Sequence, residues 1–148
     1  MKLSEYFSLQ EMTKSQTALR MGIDNSPDEE QLQCLTDLCR NVLDHVRSEF
    51  GPLTPSSGFR SPDLCEAIGS KPTSQHAKGE AADFEVVGVD NKELAAWIAN
   101  NLSFDQLILE YYEEGEPNSG WVHCSYKDDG NRGEVLIFDG SNYRRGSL

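Results

Sequence analysis

Apolar side chains recur at Leu32, Leu35, Cys39, Val42, Val46 and Phe50, at spacings of three or four, and Leu38 and Leu43 widen the stripe. Residues three and four apart share one face of an α-helix, so the pattern predicts an amphipathic helix over residues 27–50. Ser26-Pro27-Asp28-Glu29 has the form of its capping box, with proline at the first helical position, and Gly51-Pro52 stops it. Ser8-Leu9-Gln10-Glu11 reads as a second capping box. A short helix is expected after Ser61-Pro62, ending at Gly69. Another starts at Asp90, with Glu93 three residues on; it buries Leu94, Ala95 and Ile98 and frays near Asn100-Asn101. Residues 82–87, 104–112, 120–126 and 134–138 read as strands, the last just before Asp139-Gly140. Helices and strands are mixed without a strict βαβ alternation. The expected class is α+β, a helical N-terminal half packed on a small, mainly antiparallel sheet.

Composition narrows the function classes. The 148 residues are expected to form one domain spanning 1–148, large enough to bury a core without staples. The formal charge is −12, from 13 basic and 25 acidic side chains, and the one basic pair, Arg144-Arg145, lies near the C-terminus. That balance excludes a nucleic-acid binder, which needs clustered Lys and Arg. No apolar run approaches the ~18 residues of a membrane span, and Met1-Lys2-Leu3-Ser4-Glu5 lacks the apolar core of a signal peptide. The expectation is a monomer made in the cytoplasm, without membrane insertion. The four cysteines form no CxxC pair and are expected to be reduced. Cys34 and Cys39 belong with the apolar stripe as packing thiols, and Cys124 faces away from its neighbour His123 on a strand.

Of the three histidines, His45 falls among polar neighbours on the long helix and reads as a solvated helix residue. His76 stands in a glycine-interrupted loop, Ser74-Gln75-His76-Ala77-Lys78-Gly79-Glu80-Ala81-Ala82-Asp83, that runs into a strand. His123 stands in Trp121-Val122-His123-Cys124-Ser125, where alternation puts Trp121, His123 and Ser125 on one face. Two histidines and one aspartate with a fourth position open form a candidate catalytic zinc site, competing with an ordinary hydrogen-bonded His–Asp pair.

The string Ser74-x-His76-x-x-Gly79-x-Ala81-x-Asp83 resembles, without a mismatch, the SxHxxGxAxD signature of the zinc D-Ala-D-Ala carboxypeptidase family. That family includes the L-alanyl-D-glutamate endolysins of phages and shares its fold with the hedgehog signalling domain. Ser57-Gly58-Phe59-Arg60-Ser61-Pro62 is similar to the family's SGYRSP segment, and Trp121-Val122-His123 to its closing WxH element. Tyr6-Phe7-Ser8-Leu9-Gln10-Glu11-Met12 with Gly22-Ile23-Asp24-Asn25 is similar to the compact phage-borne branch. The resemblance implies Zn²⁺ held by His76, Asp83 and His123, Arg60 beside the metal to bind a substrate oxygen, and Ser74 orienting the first ligand or contacting substrate. Gly79 fits a turn that needs positive φ.

One position departs from the family. Many members carry an acid three residues before the last histidine, where this chain has Gly120. The best substitute as general base is Glu110, on a strand expected to pair with that of His123; Gln106, Ile108 and Glu110 share a face there. Glu113, Glu114 and Glu116 follow in a polar loop and are weaker candidates. The resemblance thus implies a zinc peptidase acting on peptidoglycan stem peptides, as a carboxypeptidase or an endopeptidase. It would reach the wall after release in phage lysis or as part of a virion. The alternative is a zinc-containing binding module without turnover, to which only the missing acid at Gly120 points.

Overall fold

The computed structural model describes residues 1–146 and Leu148. Helix α1 (Leu9–Thr13) opens with the expected box: Ser8 Oγ accepts the Glu11 N–H at 3.2 Å, and Glu11 Oε1 accepts the Ser8 N–H at 3.1 Å. Helix α2 (Gln16–Met21) has no counterpart in the hydrophobic pattern. Of its six residues only Ala18 is buried, so there is no apolar stripe to betray it.

The long helix starts later than Ser26. Asp28 is the cap: its Oδ1 accepts the Gln31 N–H at 2.8 Å while Gln31 Oε1 accepts the Asp28 N–H at 2.8 Å. Ser26 is held outside because its own N–H donates to Asp24 Oδ1 at 3.0 Å. The chain then stays helical to Phe50 as α3 (Glu29–Leu38), a π-helical turn (Cys39–Leu43) and α4 (Asp44–Phe50). The π turn is closed by the Asp44 N–H on the Cys39 carbonyl, and around it Leu38, Cys39, Val42 and Leu43 all face inward, each fully buried. Full burial of such side chains stabilises by roughly 1.5–3 kcal/mol each. Helices α5 (Pro62–Ala67) and α6 (Asn91–Asn101) are capped by Ser61 and Asp90 as expected.

The sheet has five strands in the order β1-β3-β2-β4-β5: β1 (Ala81–Phe84), β2 (Gln106–Glu110), β3 (Trp121–Ser125), β4 (Glu134–Phe138) and β5 (Tyr143–Arg145). All pairs are antiparallel except β2–β4. Three strands are shorter than the apolar runs suggest. Strand β2 ends where Tyr111 takes φ 58°, β3 begins after Gly120 at φ 63°, and β1 then has no partner past Phe84. Strand β5 is wholly exposed and shows no alternation, which hid it from the sequence reading. One face of the sheet (Ala82, Phe84, Leu107, Leu109, Val122, Cys124) is buried in the core with the helices; the other face is free for chemistry.

Asp105 ties this face together from below. Its fully buried carboxylate accepts from Gln75 Nε2 at 3.0 Å, from the Arg132 N–H at 3.0 Å, and from Arg132 Nε and Nη2 at 3.1 and 2.9 Å. The Arg132 hydrogen bonds hold its pKa down to about 2, against burial. A depressed carboxylate binds fewer protons folded than unfolded, so its contribution is complete above the unfolded value near ~3.9 and is lost as pH falls through about 2. Asp105→Ala should cost about 2–4 kcal/mol, since it strands buried donors. Arg132→Ala should cost about 1–3 kcal/mol, because it leaves the fully buried Asp105 carboxylate short of partners, although the guanidinium itself is half exposed. Urea unfolding between pH 2 and 7 checks both, and Asp105→Asn should flatten the acid limb.

Candidate metal centre

The loop that carries His76 is shaped before any ligand enters. Ser74 Oγ accepts the His76 N–H at 3.1 Å and starts a 3₁₀ turn, Gln75–Lys78. Gly79 ends the turn at φ 78°, and a Cβ there would sit 2.4 Å from the Gln31 carbonyl oxygen of α3, so glycine is required on both counts. The chain then enters β1, where Asp83 lies directly opposite His123 on β3. His76 Nε2 stands 3.4 Å and His123 Nδ1 2.9 Å from Asp83 Oδ1. All three donor atoms fall within 4.8 Å of one another. Burial pushes the Asp83 carboxyl up, but hydrogen bonds from His123 and His76 outweigh it and hold the group well below the usual carboxylate range.

A second layer fixes the first. The Gly58 carbonyl, which can only accept, takes the His76 Nδ1–H at 2.8 Å. This leaves Nε2 as the ring atom that faces Asp83, 3.4 Å away, where it is placed to share a cation with the carboxylate. Gly58 cannot be replaced, since a Cβ would come 2.4 Å from the Met12 carbonyl oxygen. Asn25 clamps the same segment: its Nδ2 donates to the Thr13 and Phe59 carbonyls at 2.9 and 3.0 Å, and its Oδ1 accepts the Ser61 N–H at 2.7 Å. Arg60 is thereby held at the wall between two clefts, that of His76, Asp83 and His123 (≈ 450 Å³) and one beside Lys14–Thr17 (≈ 430 Å³). Its Nε is buried with no hydrogen-bond partner among the described residues.

Glu110 lines the same cleft as the His–Asp–His group. Ile108 lies opposite His123 and Glu110 opposite Trp121, so Glu110 and His123 are diagonal neighbours, about 7–8 Å apart in such a ladder. Glu110 Oε2 accepts the Trp121 Nε1–H at 2.8 Å. Burial, with Asp83 adding to it, pushes the Glu110 carboxyl above its ordinary value; His123, the Trp121 hydrogen bond and Arg60 oppose the shift. Glu113, Glu114 and Glu116 are exposed and stand outside the cleft, as does His45 on α4. Cys124 is buried on the core face, and burial pushes the Cys39 thiol up to about 12, which leaves both thiols inert.

The sequence reading brought together six side chains that the fold also brings together: Arg60, Ser74, His76, Asp83, Glu110 and His123 all line one cleft. It missed Asn25 as a clamp, Asp105 as the anchor of Gln75, and the aromatic wall of Tyr111, Phe138 and Tyr143. Asn25 lies inside the quoted Gly22-Ile23-Asp24-Asn25 run, which is the one signal that marked it. Two imidazole nitrogens and one carboxylate oxygen, oriented by a backbone carbonyl and a serine, suit a zinc ion with an open position. No curated protein matches the chain. The family model of Peptidase M15 matches residues 5–125, from before α1 to the end of the strand bearing His123, and the chain belongs to that family of metallopeptidases.

Proposed function

We propose that the chain is a zinc-dependent peptidase that hydrolyses the stem peptides of peptidoglycan, as a D-Ala-D-Ala carboxypeptidase or as an L-Ala-D-Glu or D,D-endopeptidase. The observation that carries this reading is the placement of His76, Asp83 and His123 in one cleft with Glu110, a carboxylate of raised pKa. His76 Nε2, Asp83 Oδ1 and His123 Nδ1 would hold the ion. Zinc there supplies a Lewis acid that polarises a carbonyl and acidifies water. Glu110 takes the proton of the attacking water on its carboxylate and returns it to the leaving amine nitrogen. The Arg60 guanidinium, which lines the cleft, offers donors to the oxygen that gains charge. Ser74 acts by orienting, since its hydroxyl is engaged with the His76 N–H. A net charge of −12 disfavours adsorption on an anionic wall and suits a diffusing hydrolase or one delivered in phage lysis or by a virion.

The test is mass spectrometry of purified muropeptides incubated with the zinc-loaded protein, beside unfolded casein. Loss of D-alanine or scission at a D-glutamate bond, with casein intact, is the expected result. Casein degradation with untouched muropeptides would refute the wall-peptide substrate. No turnover of either would leave a zinc-containing binding module.

A further inference from the structure

Two adjacent rows of side chains cross the free face of the sheet. The first is Asp83, His123 and Ile108 on β1, β3 and β2. The second is Trp121, Glu110, Phe138 and Tyr143, in register across β3, β2, β4 and β5. At ~3.3 Å per residue the rows stand about 7 Å apart, one substrate unit from the metal ligands. Tyr111 joins the second row by breaking the alternation. An extended residue after Glu110 would point to the core, but φ 58° brings the Tyr111 ring onto the cleft face, centroid 5.1 Å from Trp121 and 5.4 Å from Phe138. A bulky side chain at positive φ is strained and is retained where the geometry is used. The facing turn yields to it as well: a Cβ on Gly140 would meet Tyr111 Cε1 at 2.9 Å.

The rings are not there to fill the core. Tyr111 is 46% and Tyr143 57% exposed, and Tyr143 stacks on Phe138 at 4.2 Å. Phe138 and Tyr143 also lie beyond residue 125, outside the segment that matches the family. A rigid aromatic surface edged by hydroxyls and by Gln106 complements a ring with an apolar face and a polar rim. Arg145, two residues past Tyr143 on the same face of β5, is paired with Glu134 at 3.4 Å and adds no free charge beside the row.

We propose that Tyr111, Phe138 and Tyr143 form a saccharide subsite that stacks on a pyranose ring of the glycan carrying the stem peptide. The inference rests on the stem-peptide reading in its L-Ala-D-Glu form, whose scissile bond lies one residue from the sugar, and extends it from the peptide to that sugar.

The experiment compares kcat/KM for one stem peptide with and without its N-acetylated disaccharide, using the zinc-loaded full chain. The sugar-bearing form should be preferred about tenfold, in line with an aromatic contact of this kind. Tyr143→Ala should bring the ratio toward one and Tyr143→Phe should keep it; a merely structural role would lower both substrates alike. Tyr111→Gly, which accepts positive φ without strain, should also bring the ratio toward one. A wild-type ratio of one, or a ratio unchanged in Tyr143→Ala and Tyr111→Gly, overturns the subsite. If neither substrate is cleaved, the stem-peptide reading fails, and titration with the β-1,4-linked N-acetylglucosamine dimer decides the subsite alone. Saturable change of tryptophan fluorescence in a Trp97→Phe background, which leaves Trp121 as the one emitter, lost on adding Tyr143→Ala, supports it; no change up to tens of millimolar overturns it.

Discussion

Glu110→Gln should leave near-equimolar zinc and the melting temperature in place and lower kcat by ~10²–10⁴-fold, the range that a positioned proton carrier supplies. The amide keeps the size of the side chain and still meets the cleft, but it has no carboxylate to take a proton. In the zinc-free protein the Glu110 carboxyl should titrate above the ordinary glutamate value of 4.5, as read by NMR, because burial, with Asp83 adding to it, raises it. Trp121→Phe removes a hydrogen bond to the charged form, so that titration should move to higher pH. Full activity in Glu110→Gln, with loss on changing Glu113, Glu114 or Glu116, would transfer the base to the loop.

The second large effect is on metal. His76→Ala and His123→Ala should each reduce bound zinc from near-equimolar to a small fraction and abolish hydrolysis, as read by metal analysis after dialysis. Chelation of the wild type should lower its melting temperature by about 5–10 °C without unfolding it. That follows from ~2–3 kcal/mol of binding linkage in a chain of this size, and from a core that does not depend on the site. Neither histidine variant should respond to added zinc. Zinc retained in both variants would remove the site, and complete unfolding on chelation would make the metal a structural element.

Much of this was legible before any coordinates because the residues involved obey period and spacing. The apolar stripe from Leu32 to Phe50 has a helical period, and its buried members are the core. Alternation in Gln106–Glu110 and Trp121–Ser125 separates a core face from a chemical face, which is why Glu110 could be paired with His123 in the absence of an acid at Gly120. What stayed hidden depends on long-range partners. Asp105 reads as an ordinary acid of the 104–112 strand until Gln75 and Arg132 arrive from 30 residues before and 27 residues after it in the chain. Ser26 and Asp28 are both good caps, and only the Asp24 side chain, which accepts the Ser26 N–H, decides between them. Tyr111 belongs to the cleft through one backbone angle that no residue preference announces.

Strand β1 is the outer edge of the sheet, and the segment before Arg60 closes it. The Ser56 N–H donates to the Asp83 carbonyl at 2.9 Å and the Asp83 N–H to the Ser57 carbonyl at 2.8 Å; the next residue, Gly58, holds the His76 ring. An open strand edge is a template for pairing with another chain. One short stretch therefore both blocks that edge and orients a metal ligand. Damage that loosens residues 56–59 uncovers the edge in the same event that disorders the site, so such molecules are expected to self-associate into aggregates rather than persist as folded, inactive monomers.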